Sequence, residues 1–386
     1  MHILYFFSGF FPRNPNIWLF GCWGGQRYRG NSKFLYSYVK ENYKDIHICW
    51  ITKNISLYNQ LIKEGLTVYL AYSLKGYLIN LQAKYFFVTH GILDMNQFVS
   101  RKGVIINLTH CTYPIKEMLR LPRSLSSSAK LFHYLQEPYG YLINPDYVIT
   151  SSKFTAKSSK FTYGIDEENI LPTGTPKSDL LFSLLHGNSE SFSNEKNLNL
   201  NPYGKKLIFF LPTIRPNPMF NLFDHNFDIQ DLNLLLNEID GIILFNFHPS
   251  SVKYPTIPDF SPYENIQLLN YKGDEINKML CQIDLLITDY SSIFSDFLIF
   301  NKPIIFAKFD HGNYIKTKGV YVDYDNDLPG PKANSWSEIL QHIKTIFVDK
   351  NDEYQKERNN LRTLIYPDLD GKACQRITQF MISLND

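Results

Sequence analysis

The sequence predicts an α/β protein of two domains, each built on a parallel sheet with crossover helices, and three observations carry that prediction. Short apolar strands alternate with amphipathic stretches along the whole chain. The length of 386 residues exceeds what a single core ordinarily holds. A polar stretch from His186 to Asn197 interrupts the alternation near the middle. The expected division is a first domain over residues 1–185, a linker over 186–204 and a second domain over 205–386.

Taken in order, the chain opens with a strongly apolar segment from Met1 to Phe11. It has no basic residue before its apolar core and no Ala-x-Ala cleavage pattern, so it makes a poor signal peptide. Two readings stand: a first buried strand, or an interfacial segment whose Phe and Tyr rings dip into lipid headgroups. Strands are then expected at Ile17 to Phe20, His47 to Ile51, Thr67 to Ala71, Tyr85 to Thr89, Gly103 to Leu108 and Tyr147 to Thr150. Asn31-Ser32 is expected to cap a helix running through Tyr43, and Ser56 one through Glu64. After the linker, strands are expected at Lys206 to Leu211, Gly241 to Phe247, Ile266 to Leu269, Asp284 to Thr288 and Pro303 to Phe306. Two such sheets joined by a linker imply a cleft, and ligands bind beyond the carboxyl ends of parallel strands.

Composition narrows the function. A net charge of +2 and a sequence pI near 8.1 lack the basic excess of a nucleic-acid binder. The five cysteines are scattered and odd in number, with no C-x-x-C pair, so neither a zinc site nor a disulfide framework is indicated, and a reducing cytoplasm fits. No apolar run reaches the roughly 18 to 20 residues that span a bilayer. Phe and Tyr are abundant, 29 and 26 residues, consistent with a surface that meets lipid or a large ligand as well as with core packing.

The most informative stretch runs from Ile283 to Phe297: a buried strand, a polar turn Thr288-Asp289-Tyr290-Ser291-Ser292, and a helix start that Ser291 or Ser292 can cap, with the helix continuing through Phe300. Hydroxyls and unpaired N–H groups converge there, and the helix dipole favours negative charge. The turn is either an ordinary strand-to-helix connection or a phosphate site. It is neither a dinucleotide fingerprint nor a Walker loop. Three further clusters follow predicted strands: Thr109-His110-Cys111-Thr112, Asn246-Phe247-His248-Pro249, and Pro212-Thr213-Ile214-Arg215. Singly, a histidine is more often structural, but His110 and His248 stand at strand ends in opposite halves, where an imidazole can take a proton from a hydroxyl or neutralise a phosphate. Arg215 reads equally as a bidentate phosphate ligand or a solvated loop residue. Gly174-Thr175-Pro176-Lys177-Ser178-Asp179 reads as a turn before a helix that begins near Ser178. Asp289 and Asp296 are seven residues apart with no neighbouring carboxylate, a poor metal pair.

Together these residues resemble the CDP-glycerol glycerophosphotransferases, which make teichoic acids and related capsule polymers. Thr288-Asp289-Tyr290-Ser291-Ser292 with Phe294, Asp296, Phe297 and Asn301 to Phe306 is similar to that family's core motif. His248-Pro249, Pro212-Thr213-x-Arg215, Gly174-x-Pro176-x-x-Asp179 and the segment Tyr314, Gly319, Tyr321, Asp323, Pro329-Gly330-Pro331 follow its order, and Gly21 to Asn31 with Trp50-Ile51-Thr52 resembles its amino-terminal half. Three departures stand out. The family's Trp-His-Gly-x-Pro-Leu-Lys reads Thr109-His110-Cys111-Thr112-Tyr113-Pro114-Ile115-Lys116 here, Lys177 replaces an Arg, and Asn246 replaces a Lys.

The resemblance implies a GT-B type fold, two Rossmann-like domains with parallel sheets facing a central cleft. It further implies transfer of glycerol phosphate or a related alditol phosphate from a CDP-alditol to a hydroxyl of a lipid-linked saccharide or growing polymer, with release of CMP. His110 is then the base on the acceptor hydroxyl and His248 a donor to the pyrophosphate or leaving phosphate. Arg215, Ser291, Ser292 and Thr288 hold donor phosphate or nucleotide, and Asp289 orients the turn or contacts the nucleotide. No cofactor is implied, since the CDP-alditol is a substrate, and the expected place of work is the cytoplasmic face of the cell membrane. The rival readings are a GT-B transferase using a nucleotide sugar and an idle homologue that binds membrane or polymer.

Overall fold

The structure is a computed structural model that describes residues 2–115, 128, 144–187, 204–213, 220–247, 257–271 and 274–385. Two sheets dominate it, and every strand pair in both is parallel. The first sheet holds β1 (Asn14–Phe20), β2 (His47–Thr52), β3 (Val68–Leu70), β4 (Ala83–Val88), β5 (Val104–Asn107), β6 (Tyr147–Ile149) and β7 (Ile170–Leu171) in the order β3-β2-β1-β4-β5-β6-β7. The second holds β8 (Lys206–Leu211), β9 (Gly241–Asn246), β10 (Ile266–Leu269), β11 (Leu285–Thr288), β12 (Ile304–Ala307) and β13 (Lys332–Ala333) in the order β10-β9-β8-β11-β12-β13.

Both orders reverse at one place, between β1 and β4 in the first sheet and between β8 and β11 in the second. Crossovers leave in opposite directions there, so the loops part and open a crevice at the carboxyl ends of the strands. The sequence explains why these segments are strands. Leu285-Leu286-Ile287 and Phe209-Phe210 are buried on both faces, as crossover helices require of a central parallel strand. Each sheet accordingly has two cores: Trp18, Phe20, Trp50 and Phe87 on one face of the first and Leu19, Ile51, Phe86 and Val88 on the other.

Several expectations are corrected. The amino-terminal segment is a helix, His2–Ser8, with Ile3, Phe6, Phe7 and Phe10 exposed, so the buried-strand reading fails; the first strand begins later, at Asn14. The helix Gly30–Asn42 starts one residue before the expected cap, because Asn31 turns its amide to the Leu108 and Thr109 carbonyls instead. The next helix, Ile55–Lys63, is capped by Asn54, not Ser56. The helix expected to begin near Ser178 is Pro176–Leu185, its fixed-φ proline suiting a first turn. The helix Ala373–Ser383, expected with the second domain, packs on the first sheet, where Cys374, Ile377 and Met381 join the core of Trp18 and Phe87. Asp179 fixes its start by accepting from the Ala373 and Cys374 amides.

Candidate active site

The first-domain wall of the cleft is built on the loops that leave β1, β4 and β5. Asp94 organises it. Its buried carboxylate accepts the amides of Gly24 at 2.6 Å, Thr89 at 2.7 Å and His90 at 3.0 Å, which ties the loop after β1 to the loop after β4. His110, leaving β5, lies parallel to His90 with ring centroids 4.4 Å apart. Trp23 leans on this pair, 4.7 Å from His90 and 6.3 Å from His110, and the Arg29 guanidinium sits 3.9 Å above the indole. The His90 Nδ1 shares a 2.8 Å hydrogen bond with the Thr89 hydroxyl. Desolvation in this cluster lowers the His90 pKa, against the pull of Asp94 and with the push of Arg29.

The backbone here is under strain. Thr109 and Trp23 adopt left-handed conformations at φ 56° and 52°, each costing about 1 to 3 kcal/mol and held by the surroundings. Thr109 is fixed by its amide donating to Asn107 and by Asn31 donating to its carbonyl. Beside Trp23, the Gly25 carbonyl accepts from the Thr52 hydroxyl and the Lys53 amide. Each aromatic ring is thereby aimed by bonds made away from the ring.

The second-domain wall leaves β8 and β11. Thr288 is buried and donates its hydroxyl to the Leu211 carbonyl at 2.7 Å, pinning β11 to β8. Asp289, also buried, accepts the Thr213 amide at 2.8 Å and the Tyr290 amide at 2.6 Å, so it orders the Pro212-Thr213 loop and the turn together. Tyr290 stacks on Tyr314 at 3.7 Å and anchors the turn in the core. Ser291 and Ser292 stand half-buried at its tip. The helix that follows is Ile293–Phe297, continued as a 3-10 turn through Phe300; Ser292 occupies its cap position without a side-chain bond, and Ser291 accepts from the Ile293 amide at 3.4 Å. His248 and Arg215 lie outside the described residues.

Two carboxylates join the walls. Asp296, one turn beyond Ser292, ion-pairs with Lys177 at 2.5 Å and accepts the Thr112 hydroxyl at 3.3 Å. Lys177 and Asp296 are both buried, and the Lys177 amide donates to Asn31. The His110 loop and the helix behind the Ser291-Ser292 turn therefore hang on one side chain. Asp274, from the second domain, accepts the Gly30 amide at 3.0 Å at the start of the helix Gly30–Asn42, with Lys33 3.9 Å away. Asp289 and Asp296 are thus engaged with backbone amides and with a lysine, and no group of three or more metal-binding side chains occurs among the described residues.

Chemically, the first domain presents imidazoles beyond the carboxyl ends of its strands, and the second presents hydroxyls on a strand-to-helix turn beyond the end of β11. Sequence reasoning found His110 and the turn but passed over Trp23, Arg29 and Asp94. Their signal was position alone: Trp23 follows the end of β1 and Asp94 the end of β4, the two strands at the reversal.

Comparison with known proteins gives the cleft its setting. Residues 3–383 match the family described as CDP-Glycerol:Poly(glycerophosphate) glycerophosphotransferase. The teichoic acid glycerol-phosphate transferase of Staphylococcus aureus is 26% identical over 95% of this chain and 92% of its own length. The teichoic acid poly(ribitol-phosphate) polymerase of Bacillus spizizenii is 31% identical over 61% of this chain, which spans only 37% of that protein. Among solved structures, the wall teichoic acid polymerase TagF superposes with a TM-score of 0.73 at 23% identity, covering 96% of this chain and 89% of that one. A variant of TagF has also been solved after a soak with CDPG. The two parallel-sheet domains are of the GT-B type. The chain belongs to the CDP-glycerol:poly(glycerophosphate) glycerophosphotransferase family, a family of transferases.

Proposed function

We propose that this member of the family transfers glycerol phosphate, or a related alditol phosphate, from a CDP-activated donor to a hydroxyl of a lipid-linked saccharide or growing polymer. The observation that carries the reading is the shared support of the two walls: Asp296 holds Thr112, two residues past His110, and lies on the helix that begins after Ser291-Ser292. A base and a phosphate turn mounted on one buried carboxylate suit a reaction governed by alignment. The CDPG soak of the TagF variant supports a cytidine-diphosphate alcohol as donor.

In the proposed reaction His110 removes the proton from the acceptor hydroxyl, and that oxygen attacks the phosphorus bearing the alditol. The bond from this phosphorus to the bridging pyrophosphate oxygen breaks, and CMP leaves with that oxygen. Ser291, Ser292 and Arg215 neutralise the phosphate charge, and His248 donates to the pyrophosphate or the leaving phosphate. Thr288 and Asp289, whose polar atoms face Leu211, Thr213 and Tyr290, serve by holding the turn. The division of labour in the proposal follows: acceptor on the first domain, residues 1–185 with the returning helix Ala373–Ser383, and donor on the second domain, which begins at residue 205.

The acceptor's lipid anchor gives the amino-terminal helix a task. Ile3, Leu4, Phe6, Phe7, Phe10 and Phe11 are exposed, Phe10 at 71%, and the Arg101 guanidinium sits 4.9 Å over Phe6. Aromatic rings flanked by a basic residue suit the headgroup region of the cytoplasmic membrane face. No helix among the described residues is long and apolar enough to cross a membrane.

The test is a donor panel. CDP-glycerol, CDP-ribitol and nucleotide sugars are incubated with the protein and a lipid-linked acceptor, and nucleotide release is measured. The proposal expects CMP from a CDP-alditol; consumption of a nucleotide sugar would replace it with a glycosyl transfer, and donor binding without release on any acceptor would leave an idle binding protein.

A further inference from the structure

We propose that His90 is a positioning residue for the transfer: a neutral ring, stacked on His110, that orients this base and stabilises the positive charge it takes up with the acceptor's proton. The inference rests on the reading of His110 as the base and goes beyond it to a histidine that none of the matched sequence motifs contains.

The chain builds the pair from the register of two strands. Val88, the last residue of β4, lies beside Asn107, the last of β5, and the Leu108 amide donates to the Val88 carbonyl at 2.7 Å. His90 stands two residues past that rung and His110 three. The extra residue is Thr109, whose left-handed backbone at φ 56° is held by Asn107 and Asn31. Adjacent parallel strands thereby deliver two imidazoles face to face, with centroids 4.4 Å apart and planes within 13° of parallel.

The His90 ring is fixed by bonds made away from His110. The Thr89 hydroxyl lies 2.8 Å from His90 Nδ1 and 3.3 Å from the Asp94 carboxylate, which also accepts the Thr89 and His90 amides. A carboxylate can only accept, so the hydroxyl proton goes to Asp94 and His90 Nδ1–H donates to the hydroxyl oxygen. That sets both the tautomer and the plane of the ring. Trp23 closes against it at 4.7 Å.

A ring so placed acts through its neighbour. The face of a neutral aromatic ring attracts a cation within about 6 Å, and here the cation exists only after His110 has taken the hydroxyl proton. The stack therefore favours the charged state of the base over the resting one. A proton on His90 would reverse the effect by setting two imidazoliums 4.4 Å apart. Around the pair stand Asp94, Arg29 with Asp274 acting on it, Lys53 donating to the Leu93 carbonyl, the buried Cys22 thiol, and Cys111 next to His110. Desolvation opposes a proton on His90 and Asp94 favours one, with Arg29 adding to the opposition.

The test compares His90→Ala, His90→Phe and His90→Arg with the wild type, and takes His110→Ala as reference. Thermal unfolding and calorimetry with CDP establish which variants are folded. CMP release from a CDP-alditol onto a lipid-linked acceptor is then followed across the pH range. His90→Ala should lose kcat about fivefold at unchanged KM for the donor, the fold-change of a cation–π attraction of about 1 kcal/mol. His90→Phe, which restores a flat neutral face without the bond to Thr89, should recover part of that loss. His90→Arg sets a fixed planar cation against His110 and should move the acid limb of the kcat profile down by about one pH unit, because a like charge disfavours the imidazolium. Nitrogen NMR of the histidines reads the same midpoint without turnover, and His110 should titrate lower in His90→Arg than in His90→Phe. Wild-type kcat in His90→Ala, no recovery in His90→Phe, or an unmoved His110 midpoint in His90→Arg would each overturn the positioning role. If His110→Ala keeps full turnover, the base lies elsewhere and this role falls with it; if His110→Ala is inactive while the His90 variants match the wild type, the base stands and the role of His90 alone is lost.

Discussion

At the scale of single residues, the polar side chains of the core motif divide into holders and presenters. Thr288 and Asp289 are buried with their oxygens turned to Leu211, Thr213 and Tyr290, so removing either should disturb the turn before it disturbs a ligand. Ser291 and Ser292 stand at the tip, the first with only a long contact to the Ile293 amide and the second with no cap bond. Changing both to Ala should therefore spare folding and weaken CDP-donor binding by roughly 1 to 3 kcal/mol, the value of hydrogen bonds to a charged phosphate. Calorimetry with CDP measures it, and wild-type affinity in the double variant would reduce the tip to a helix start. The same distinction explains what the residues alone concealed. A Thr-Asp-Tyr-Ser-Ser string announces polar groups at a strand end, but which oxygen faces inward depends on β8, nearly eighty positions earlier, and no local pattern records that pairing.

At the scale of elements, the strands were the legible part. Their apolar runs are continuous because both faces are covered, and the core strands of both sheets fall where the runs fall. The two-residue strands β7 and β13 are too short to leave a periodic trace, and the amino-terminal helix was ambiguous because an apolar stretch of that length carries no distinctive period. Least legible was the ion pair of Lys177 and Asp296, whose partners are 119 positions apart on different walls of the cleft. Removing one member leaves a buried charge alone, so Lys177→Met should destabilise the fold by about 3 to 5 kcal/mol, while Lys177→Arg keeps the pair. Thermal unfolding of the two variants checks this; equal loss in both would show that the ammonium's shape, not its charge, matters there. Transfer activity in Lys177→Arg should survive with the His110 loop, since Thr112 keeps its acceptor on Asp296.

At the scale of the whole molecule, the domains are laced in both directions. Tyr113 and Ile115 from the first half enter the core of the second sheet, and the final helix returns to the first. The length and the mid-chain polar stretch predicted two domains, but a helix near the carboxyl end has the same amphipathic pattern whichever sheet it covers. The exposed aromatic helix at the other end predicts reversible membrane attachment. Deleting residues 1–11 should release the protein from anionic liposomes and lower activity on a lipid-linked acceptor while sparing a soluble analogue; retention on liposomes would move the attachment elsewhere. The central claim, that this cleft moves an alditol phosphate from a CDP donor with His110 as the base, meets its most direct test in CMP release by the wild type and by His110→Ala, with CDP binding measured on both. The account predicts CMP from a CDP-alditol in the wild type and a fall of about 10²- to 10⁴-fold in the variant at nearly unchanged CDP affinity. Unchanged turnover in His110→Ala would contradict it and pass the role to the stacked His90.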